Sequence, residues 1–277
     1  MNGRVVVLGG GRMGRGIALA LERRSPARDV AVEVLGRDAT PEVLGEGVGA
    51  AALVLVATPD DAVPDAARAL LATGKVGPGH AVLHLSGFLD HMALAPLRDS
   101  GAALGSFHPL QTVAEASSAP ERLAGSYAAV EGDRAAVEAA VALAEALGMR
   151  VVHLDAAAKP LYHAAATIAG NYTVTLVGLA TRLAQQAGLD AETARRIFLP
   201  LVHGVVANVE ELGAAAALTG PVRRGDLRTI AAHLGALDAD DQHLYRLLGL
   251  ETLALARDAG LDPTKARYVE AELSDDP

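Results

Sequence analysis

Residues 4–14 read Arg-Val-Val-Val-Leu-Gly-Gly-Gly-Arg-Met-Gly, and this stretch decides the fold of the N-terminal half. The β-branched run at its start is typical of a buried strand. Gly9, Gly11 and Gly14 follow it in the pattern G-x-G-x-x-G, and residues 12–23 then carry apolar side chains at helical spacing. A glycine-rich turn between a strand and a helix indicates a dinucleotide-binding unit.

Each glycine of this turn has a separate predicted role. Gly9 permits the tight turn, Gly11 lets the backbone approach a pyrophosphate, and Gly14 lets the helix pack against the strand. Arg12 and Met13 stand at the helix N-terminus, whose free N–H groups favour phosphates, so we expect them beside the cofactor. The alternative is a glycine-rich turn that binds no ligand.

Short apolar runs alternate with helical segments as far as residue 154. The predicted strands are residues 4–8, 30–35, 53–56, 81–85, 103–106, 127–130 and 151–154. This alternation predicts an α/β fold with a mostly parallel, doubly wound sheet. Because ligands bind at the carboxyl ends of such strands, we expect Thr58, Pro59 and Asp60 near the nicotinamide ribose and Ser86 near the substrate.

After Asp155 no further strand is predicted. Helices are expected at about 160–187, 190–212, 226–235 and 239–259. The sequence therefore predicts a Rossmann domain over 1–155 and an all-helical substrate and dimerisation domain over 156–277. The apolar stretch 164–184 includes Asn171 and Arg182, whose burial in lipid would be costly, so we expect a buried helix and no membrane span.

Composition excludes several classes of function. The formal net charge is -9 and no basic run occurs, so we expect no binding to nucleic acid or to an acidic membrane surface as the main task. The absence of cysteine excludes disulfides, thiolate catalysis and Cys-ligated metals. The histidines are not at ligand spacing, so no metal site is predicted. The N-terminus lacks a signal-peptide layout, and we expect a cytoplasmic protein.

The end of the second strand distinguishes the two pyridine dinucleotides. It reads Leu35-Gly36-Arg37-Asp38, with no acid at the closing position to bind a ribose 2′-hydroxyl. The Arg37 guanidinium suits a 2′-phosphate, so NADP is predicted over NAD. Asp38 favours NAD if the strand runs further, and a solvated charge is the alternative for Arg37.

Longer motifs extend over nearly the whole chain. They are residues 105–112 (Gly-Ser-Phe-His-Pro-Leu-Gln-Thr), 162–166 (Tyr-His-Ala-Ala-Ala), 171–172 (Asn-Tyr) and 218–226 (Leu-Thr-Gly-Pro-Val-Arg-Arg-Gly-Asp), with His233 after them. With these motifs the sequence resembles the 6-phosphogluconate dehydrogenase-like reductases, which include pyrroline-5-carboxylate, ketopantoate and prephenate enzymes. More closely, it is similar to proteins that join a Rossmann-like domain to a domain of unknown function, DUF2520. The resemblance implies the fold and an NADP-type cofactor, and names no substrate.

His108 precedes a proline, which holds its backbone extended, and it follows the predicted strand 103–106. A His-Pro pair at a comparable place in prephenate dehydrogenases is similar, and there the histidine contacts the reacting group. An imidazole that titrates near neutrality would move the proton that accompanies hydride transfer. The alternative is a histidine that only hydrogen-bonds its loop. Gln111 and Thr112, in the same segment, are candidate substrate contacts.

The helix from residue 160 carries a polar stripe. His163, Thr167 and Asn171 are four residues apart and share one face. The resemblance to ketopantoate reductase implies substrate contacts for a lysine and an asparagine on this helix, which suggests Lys159 and Asn171. Pro160 is expected in the first turn, which leaves Lys159 at or before the helix start. Hydrogen bonds between helices, and for Lys159 a solvated side chain, are the alternatives.

The motif 218–226 forms a predicted turn. Asp226 is expected to cap the next helix. Arg223 or Arg224 is expected to hold a substrate carboxylate, with an inter-subunit ion pair as the alternative. Thr219 and His233 are weaker candidates for the same pocket.

These observations predict an NADP-dependent oxidoreductase that transfers hydride to or from a carbonyl or imine carbon of a small anionic metabolite. The predicted catalytic residues are His108, His163, Asn171 and Lys159. A non-catalytic NADP(H)-binding sensor or partner subunit is the alternative, and a deazaflavin-linked reductase is a third. The helical domain, rich in Ala and Leu, predicts a homodimer.

Overall fold

The computed structural model describes residues 3–24, 30–36 and 38–274. Their first part contains one sheet of seven strands in the order β2-β1-β3-β4-β5-β6-β7. The strands are β1 Gly3–Leu8, β2 Val30–Leu35, β3 Ala51–Val56, β4 Ala81–His84, β5 Ala103–Leu110, β6 Tyr127–Gly132 and β7 Arg150–His153. All neighbours pair in parallel except β5 and β6, which are antiparallel. The predicted α/β class is confirmed.

Helices cover both faces of this sheet, because most strands are apolar on both sides. In chain order they are α1 Arg12–Arg24, α2 Pro41–Gly49, α3 Val63–Ala72, α4 Ala119–Leu123 and α5 Arg134–Leu147. One buried cluster joins α1, α4 and α5 to the sheet and includes Ile17, Phe107 and Leu143. The opposite cluster joins α2, α3 and the 3₁₀-helical segment His91–Ser100 and includes Leu70. Helix α2 was not predicted.

The rest of the chain is helical. Its helices are α6 Lys159–Thr167, α7 Thr173–Gln186, α8 Ala191–Ile197, α9 Leu199–Leu212, α10 Ala214–Ala217, α11 Gly220–Arg224, α12 Leu227–Ala236, α13 Ala239–Asp258 and α14 Pro263–Ser274. The chain divides into two compact units, Met1–Thr175 and Leu176–Pro277. The division of roles between 1–155 and 156–277 stays a prediction.

The helical part differs from the sequence prediction in several details. The helix expected over 160–187 is α6 and α7 joined by a π-helical turn, Ile168–Tyr172. The helix expected over 190–212 is two helices, because Pro200 lacks the N–H that would continue α8 into α9. Helix α14 was not predicted. No helix in the described part of the chain is both long and apolar enough to cross a membrane.

Strand β5 is longer than predicted, and this moves His108 from a loop into the sheet. Beyond Ser106 it pairs only with β6, since β4 ends opposite that residue at His84. Pro109 is tolerated there, because one side of the strand has no partner that needs its missing N–H. Antiparallel pairing sets His108 opposite Ala129.

The tightest backbone contact of the sheet is between β5 and β6. Gly132 has φ of +135° and pairs with Gly105, and a Cβ on Gly132 would lie 2.4 Å from both Gly105 Cα and the Leu104 carbonyl oxygen. Only glycine meets both constraints there.

We therefore expect Gly132→Ala to lower the free energy of unfolding by about 2 kcal/mol or more, because the backbone must move apart. Urea denaturation checks this. Gly79→Ala is the matched control, since no atom lies within 4 Å of its Cβ position. Equal midpoints for the two variants would contradict the expectation.

Candidate active site

The glycine-rich turn joins β1 to α1, and two of its glycines have no room for a side chain. A Cβ on Gly9 would lie 2.5 Å from the Ala57 carbonyl oxygen, and one on Gly14 would lie 2.5 Å from the Gly9 carbonyl oxygen. Gly9 also has φ of +123°. In contrast, no atom of the described residues lies within 4 Å of a Cβ on Gly11. The turn is thus packed on its protein side and open above Gly11, as close approach of a diphosphate requires.

The end of β3 lies beside this turn. A Cβ on Gly9 would come within 3.2 Å of the Thr58 backbone nitrogen. The Thr58 hydroxyl is buried and has no hydrogen-bond partner among residues 3–24, 30–36 and 38–274, which is costly unless a further group binds there. The open turn and this hydroxyl fit a pyridine dinucleotide, which would be held by Gly9, Gly11, Met13 and Thr58.

The other predicted cofactor contacts lie at the start of α1, after β3 and after β2. Arg12 is exposed at the first residue of α1, and Pro59 directly precedes a short helical turn, Asp60–Ala62. Gly36 follows β2, and a Cβ there would meet no atom of the described residues within 4 Å, its chain neighbours aside. Arg37 lies outside the described residues, so its proposed contact with a 2′-phosphate stays a prediction.

Two cavities lie at the carboxyl end of the sheet and meet at His108. The smaller, of about 240 Å³, is bordered by Met13, Thr58, Asp60 and Ser86. The larger, of about 640 Å³, is bordered by Thr112, Tyr162, His163, Thr167 and Asn171. His108, Pro109 and Gln111 border both. The polar stripe predicted on the helix therefore lines one wall of the larger cavity.

His108 is fixed by aromatic neighbours. Its Nδ1 lies 3.0 Å from the Tyr162 hydroxyl, and the two rings meet edge to face. The His163 ring centroid is 6.1 Å from that of His108. Gly87 lies against both rings, because its Cβ would stand 2.8 Å from His108 Nε2 and from His163 Cδ2. A side chain at residue 87 would displace one histidine or the other.

The electrostatic environment keeps His108 neutral. Burial, and then the positive charge of Lys159, lower the pKa of His108 from 6.5 to about 4, while Asp60 opposes the shift. The expectation that this imidazole titrates near neutrality is therefore wrong. Burial also raises the pKa of its partner Tyr162 above the ordinary value.

Hydrogen bonds of Ser86 fix the turn after β4. The Ser86 hydroxyl donates to Asp60 Oδ2 at 2.8 Å and accepts from the N–H groups of Phe88 and Leu89. The Ser86 N–H donates to Nδ1 of His84 at 3.2 Å. The predicted residues Asp60 and Ser86 are thus joined directly, and Ser86 uses its hydroxyl to fix this turn.

Lys159 is the first residue of α6 and is only 1% exposed, so the alternative of a solvated lysine is wrong. Its ammonium donates to the Ser86 carbonyl oxygen at 3.2 Å and to Ser106 Oγ at 2.9 Å. Burial lowers the pKa of Lys159, and the nearby carboxylates of Glu131, Asp90 and Asp60 oppose this. Lys159 borders neither cavity, but its ammonium contacts Ser86, which borders the smaller one.

A chain of hydrogen bonds leads from Lys159 towards the surface. The Ser106 hydroxyl donates to Glu131 Oε2 at 3.3 Å, and the same carboxylate accepts from the backbone N–H of His91 at 3.0 Å and contacts His91 Nδ1. Glu131 is 6% exposed and the His91 side chain 21%. The carboxylate therefore gives the buried ammonium a counter-charge through one hydroxyl.

Sequence reasoning missed several of these residues. Tyr162 precedes His163 in a quoted motif and follows Lys159 by one helical turn, a spacing that signals its place on the same face. His84 and Glu131 gave no such signal, because each ends an otherwise apolar strand whose pairing partners the sequence does not reveal.

The predicted residues of the second unit form their own surroundings. Asp226 accepts hydrogen bonds from the N–H and hydroxyl of Thr229, so its predicted capping role is confirmed. Arg223, Arg224 and Thr219 line a separate cavity of that unit, and His233 contacts the Tyr245 hydroxyl at 2.8 Å. Their contact with substrate stays a prediction, as it does for Gln111, whose amide donates to the Arg122 carbonyl oxygen.

His84 gives a testable pH dependence of stability. It is fully buried, its Nε2 donates to the Asp90 carbonyl oxygen at 2.8 Å, and burial lowers its pKa to about 4. Between pH 6.5 and about 4 the unfolded chain binds the proton and the folded chain does not. The burial of neutral His84 therefore costs no stability at neutral pH, but the free energy of unfolding decreases as the pH falls through this window.

We expect the free energy of unfolding to fall by about 2 kcal/mol for each of His84 and His108 between pH 7 and pH 5. His84→Gln should remove about half of this loss in urea denaturation. His153→Gln, at an exposed position, should keep the whole loss. The prediction is refuted by an unchanged pH dependence in the His84→Gln protein.

Comparison with solved structures gives relatives over nearly the full chain. Protein TM1727 of Thermotoga maritima is 23% identical, with 96% of this chain and 98% of that chain covered and a TM-score of 0.63. BF3122 of Bacteroides fragilis, proposed to be an NADP oxidoreductase, is 23% identical over 92% and 98% of the chains, with a TM-score of 0.69. Plasmodium falciparum pyrroline carboxylate reductase, crystallised with NADP, is 12% identical over 99% of each chain, with a TM-score of 0.60. These likenesses show a shared fold.

Comparison with curated proteins gave no sequence match. Residues 126–252 match the family described as a domain of unknown function, DUF2520. The match runs from β6 to α13 and confirms the similarity to DUF2520 proteins that the motifs indicated.

Proposed function

We propose that the chain is an NADP-dependent oxidoreductase that moves hydride between the nicotinamide and a carbonyl or imine carbon of a small anionic metabolite. One observation carries the proposal: the cavity beside the glycine-rich turn and the larger cavity meet at His108. The fold relatives support it, since one was crystallised with NADP and is a reductase.

The smaller cavity suits the nicotinamide end of the cofactor. It continues from Met13 and Thr58 near the turn to Ser86 and His108. The bound dinucleotide would supply or accept the hydride. The larger cavity, with Tyr162, His163 and Asn171 on its wall, would hold the substrate at the other side of His108.

His108 is the residue we assign to proton transfer. Because its pKa is about 4, the neutral imidazole can accept the proton of a hydroxyl or amine while hydride leaves the adjacent carbon. In the direction of reduction the ring must first take up a proton, which burial and Lys159 oppose. Tyr162 holds the ring through Nδ1, and Lys159 acts from beneath as a positioning residue.

We expect the purified protein to consume NADPH with at least one member of a panel of keto acids and cyclic imines. Gly11→Ala should abolish binding and turnover without loss of stability, since its Cβ meets no protein atom but would meet a diphosphate. Calorimetry with NADPH and NADH, and absorbance of the reduced cofactor, are the measurements. Gly79→Ala again serves as the control.

Three other results would each remove part of the proposal. NADPH binding without oxidation across the panel would favour the non-catalytic sensor, and the burial of Lys159, which borders neither cavity, favours that alternative. Binding of neither dinucleotide would remove the function. Oxidation only with a deazaflavin would favour that class of reductase.

We also propose a homodimer formed through α9. This helix has no buried residue, although Leu201, Val205 and Val206 are apolar and 61%, 52% and 59% exposed. An apolar helix without a core position needs a covering surface. A second copy offers the same helix in return, as a two-fold interface requires.

Sedimentation at micromolar concentration should therefore give twice the chain mass of 28.3 kDa. Val206→Asp should shift the protein to the monomer, because a carboxylate would be buried at the contact. Glu210→Gln, on the same helix, should leave the dimer intact. A wild-type protein that sediments at 28.3 kDa would contradict the dimer.

A further inference from the structure

The second compact unit contains a cavity of about 650 Å³ that the proposed hydride chemistry does not use. The loop before α11, the residues Arg223 and Arg224 of that helix, and the start of α14 line it. Its polar side chains include three cations, Arg223, Arg224 and Lys265, and one carboxylate, Asp262.

Two of the three cations, Arg223 and Lys265, have defined neighbours. The Arg223 guanidinium is half-buried and donates from Nη2 to the Ala259 carbonyl oxygen at 2.8 Å, which leaves its other N–H groups for a ligand. Gly225 has φ of +67°, and its Cβ would lie 2.9 Å from Lys265 Cβ. The close approach of Gly225 to Lys265 brings the lysine stem beside the arginines.

One of the cavity cations has a carboxylate nearby: after the hydrogen bonds from Thr229, the charge of Arg224 helps to lower the pKa of Asp226. Elsewhere in the unit, Arg182 pairs with Asp241, Arg257 with Glu270, and Glu192 pairs with two arginines. Within residues 176–274, none of the three cavity cations forms an ion pair with a carboxylate.

The one carboxylate of the cavity is already engaged. Asp262 Oδ1 accepts from the backbone N–H groups of Thr264 and Lys265, each at 3.0 Å, and so caps α14. The cavity thus has an excess of positive charge in a chain whose net charge is -9. Positive charge concentrated in a concave surface attracts small anions.

We propose that this cavity is an anion site, in which Arg223, Arg224 and Lys265 bind the carboxylate or phosphate of a small molecule. Arginine N–H groups can bind two oxygens of such a group at once, and the lysine adds a point charge. This anion site is inferred from the residues of the cavity alone and does not depend on the proposed reductase activity. Its use for the anionic group of a reductase substrate rests on the proposed function.

The test titrates the full-length, ¹⁵N-labelled protein with inorganic phosphate and, separately, with malonate. We expect saturable amide shifts at Gly220 and Gly260, weakened by added chloride. Arg224→Ala and Lys265→Ala, on different helices, should each weaken binding about tenfold. Arg228→Ala removes an exposed arginine that does not line the cavity and should leave binding unchanged. The stronger of the two probes identifies phosphate or carboxylate as the preferred group.

Shifts that do not saturate, or equal weakening by Arg228→Ala, would overturn the site. Melting temperatures of the variants separate loss of binding from loss of fold. Gly11→Ala should bind the anion as the wild type does. Anion binding by a protein that binds neither dinucleotide would therefore keep this site while removing the proposed oxidoreductase.

Discussion

The buried ammonium of Lys159 is the interaction on which the first unit's site depends. Removing a charge from water is costly, and the cost is offset only when the charge is paired and hydrogen-bonded. Here the Ser86 carbonyl oxygen and the Ser106 hydroxyl accept from it, and Ser106 passes the interaction on to Glu131. One side chain thereby fastens α6 to β5 and to the turn that follows β4.

The contacts of Lys159 also determine how the side chains of Tyr162, His108 and His163 are arranged. Ser106 and His108 are two residues apart on β5 and share one face, while Lys159 and Tyr162 are one turn apart on α6. The two elements therefore meet twice, once at Lys159 and Ser106 and once at Tyr162 and His108. The turn pinned by Ser86 then brings Gly87 against the rings of His108 and His163.

The burial of His108 has a chemical consequence. Burial first, and then the positive charge of Lys159, lower the pKa of His108 and keep the imidazole neutral, so it is ready to accept a proton and poorly suited to store one. In the second unit, three cations line one cavity, and none of them forms an ion pair with a carboxylate within residues 176–274. The chain as a whole is acidic, with a net charge of -9, whereas Lys159 and the cations of this cavity lie at the two candidate sites.

The sequence by itself determined the fold class, the positions of the seven strands along the chain and the glycine-rich turn. Those features depend on local patterns: apolar periodicity, and glycines where a side chain would strike Ala57 or the Gly9 carbonyl oxygen. It also placed Asp226 at a helix cap and His163, Thr167 and Asn171 on one face.

Only the tertiary structure decided the rest, because those features depend on pairing between distant segments. The length of β5 follows from β6, which moved His108 from a loop into the sheet. The neutrality of His108 follows from its burial and from the charge of Lys159. The buried Lys159 ammonium in turn depends on Glu131, Ser106 and Ser86, which lie far from it in the chain. A periodic pattern reports which face of an element is buried. It does not report which side chain lies opposite, and the charge state of a buried group depends on that neighbour.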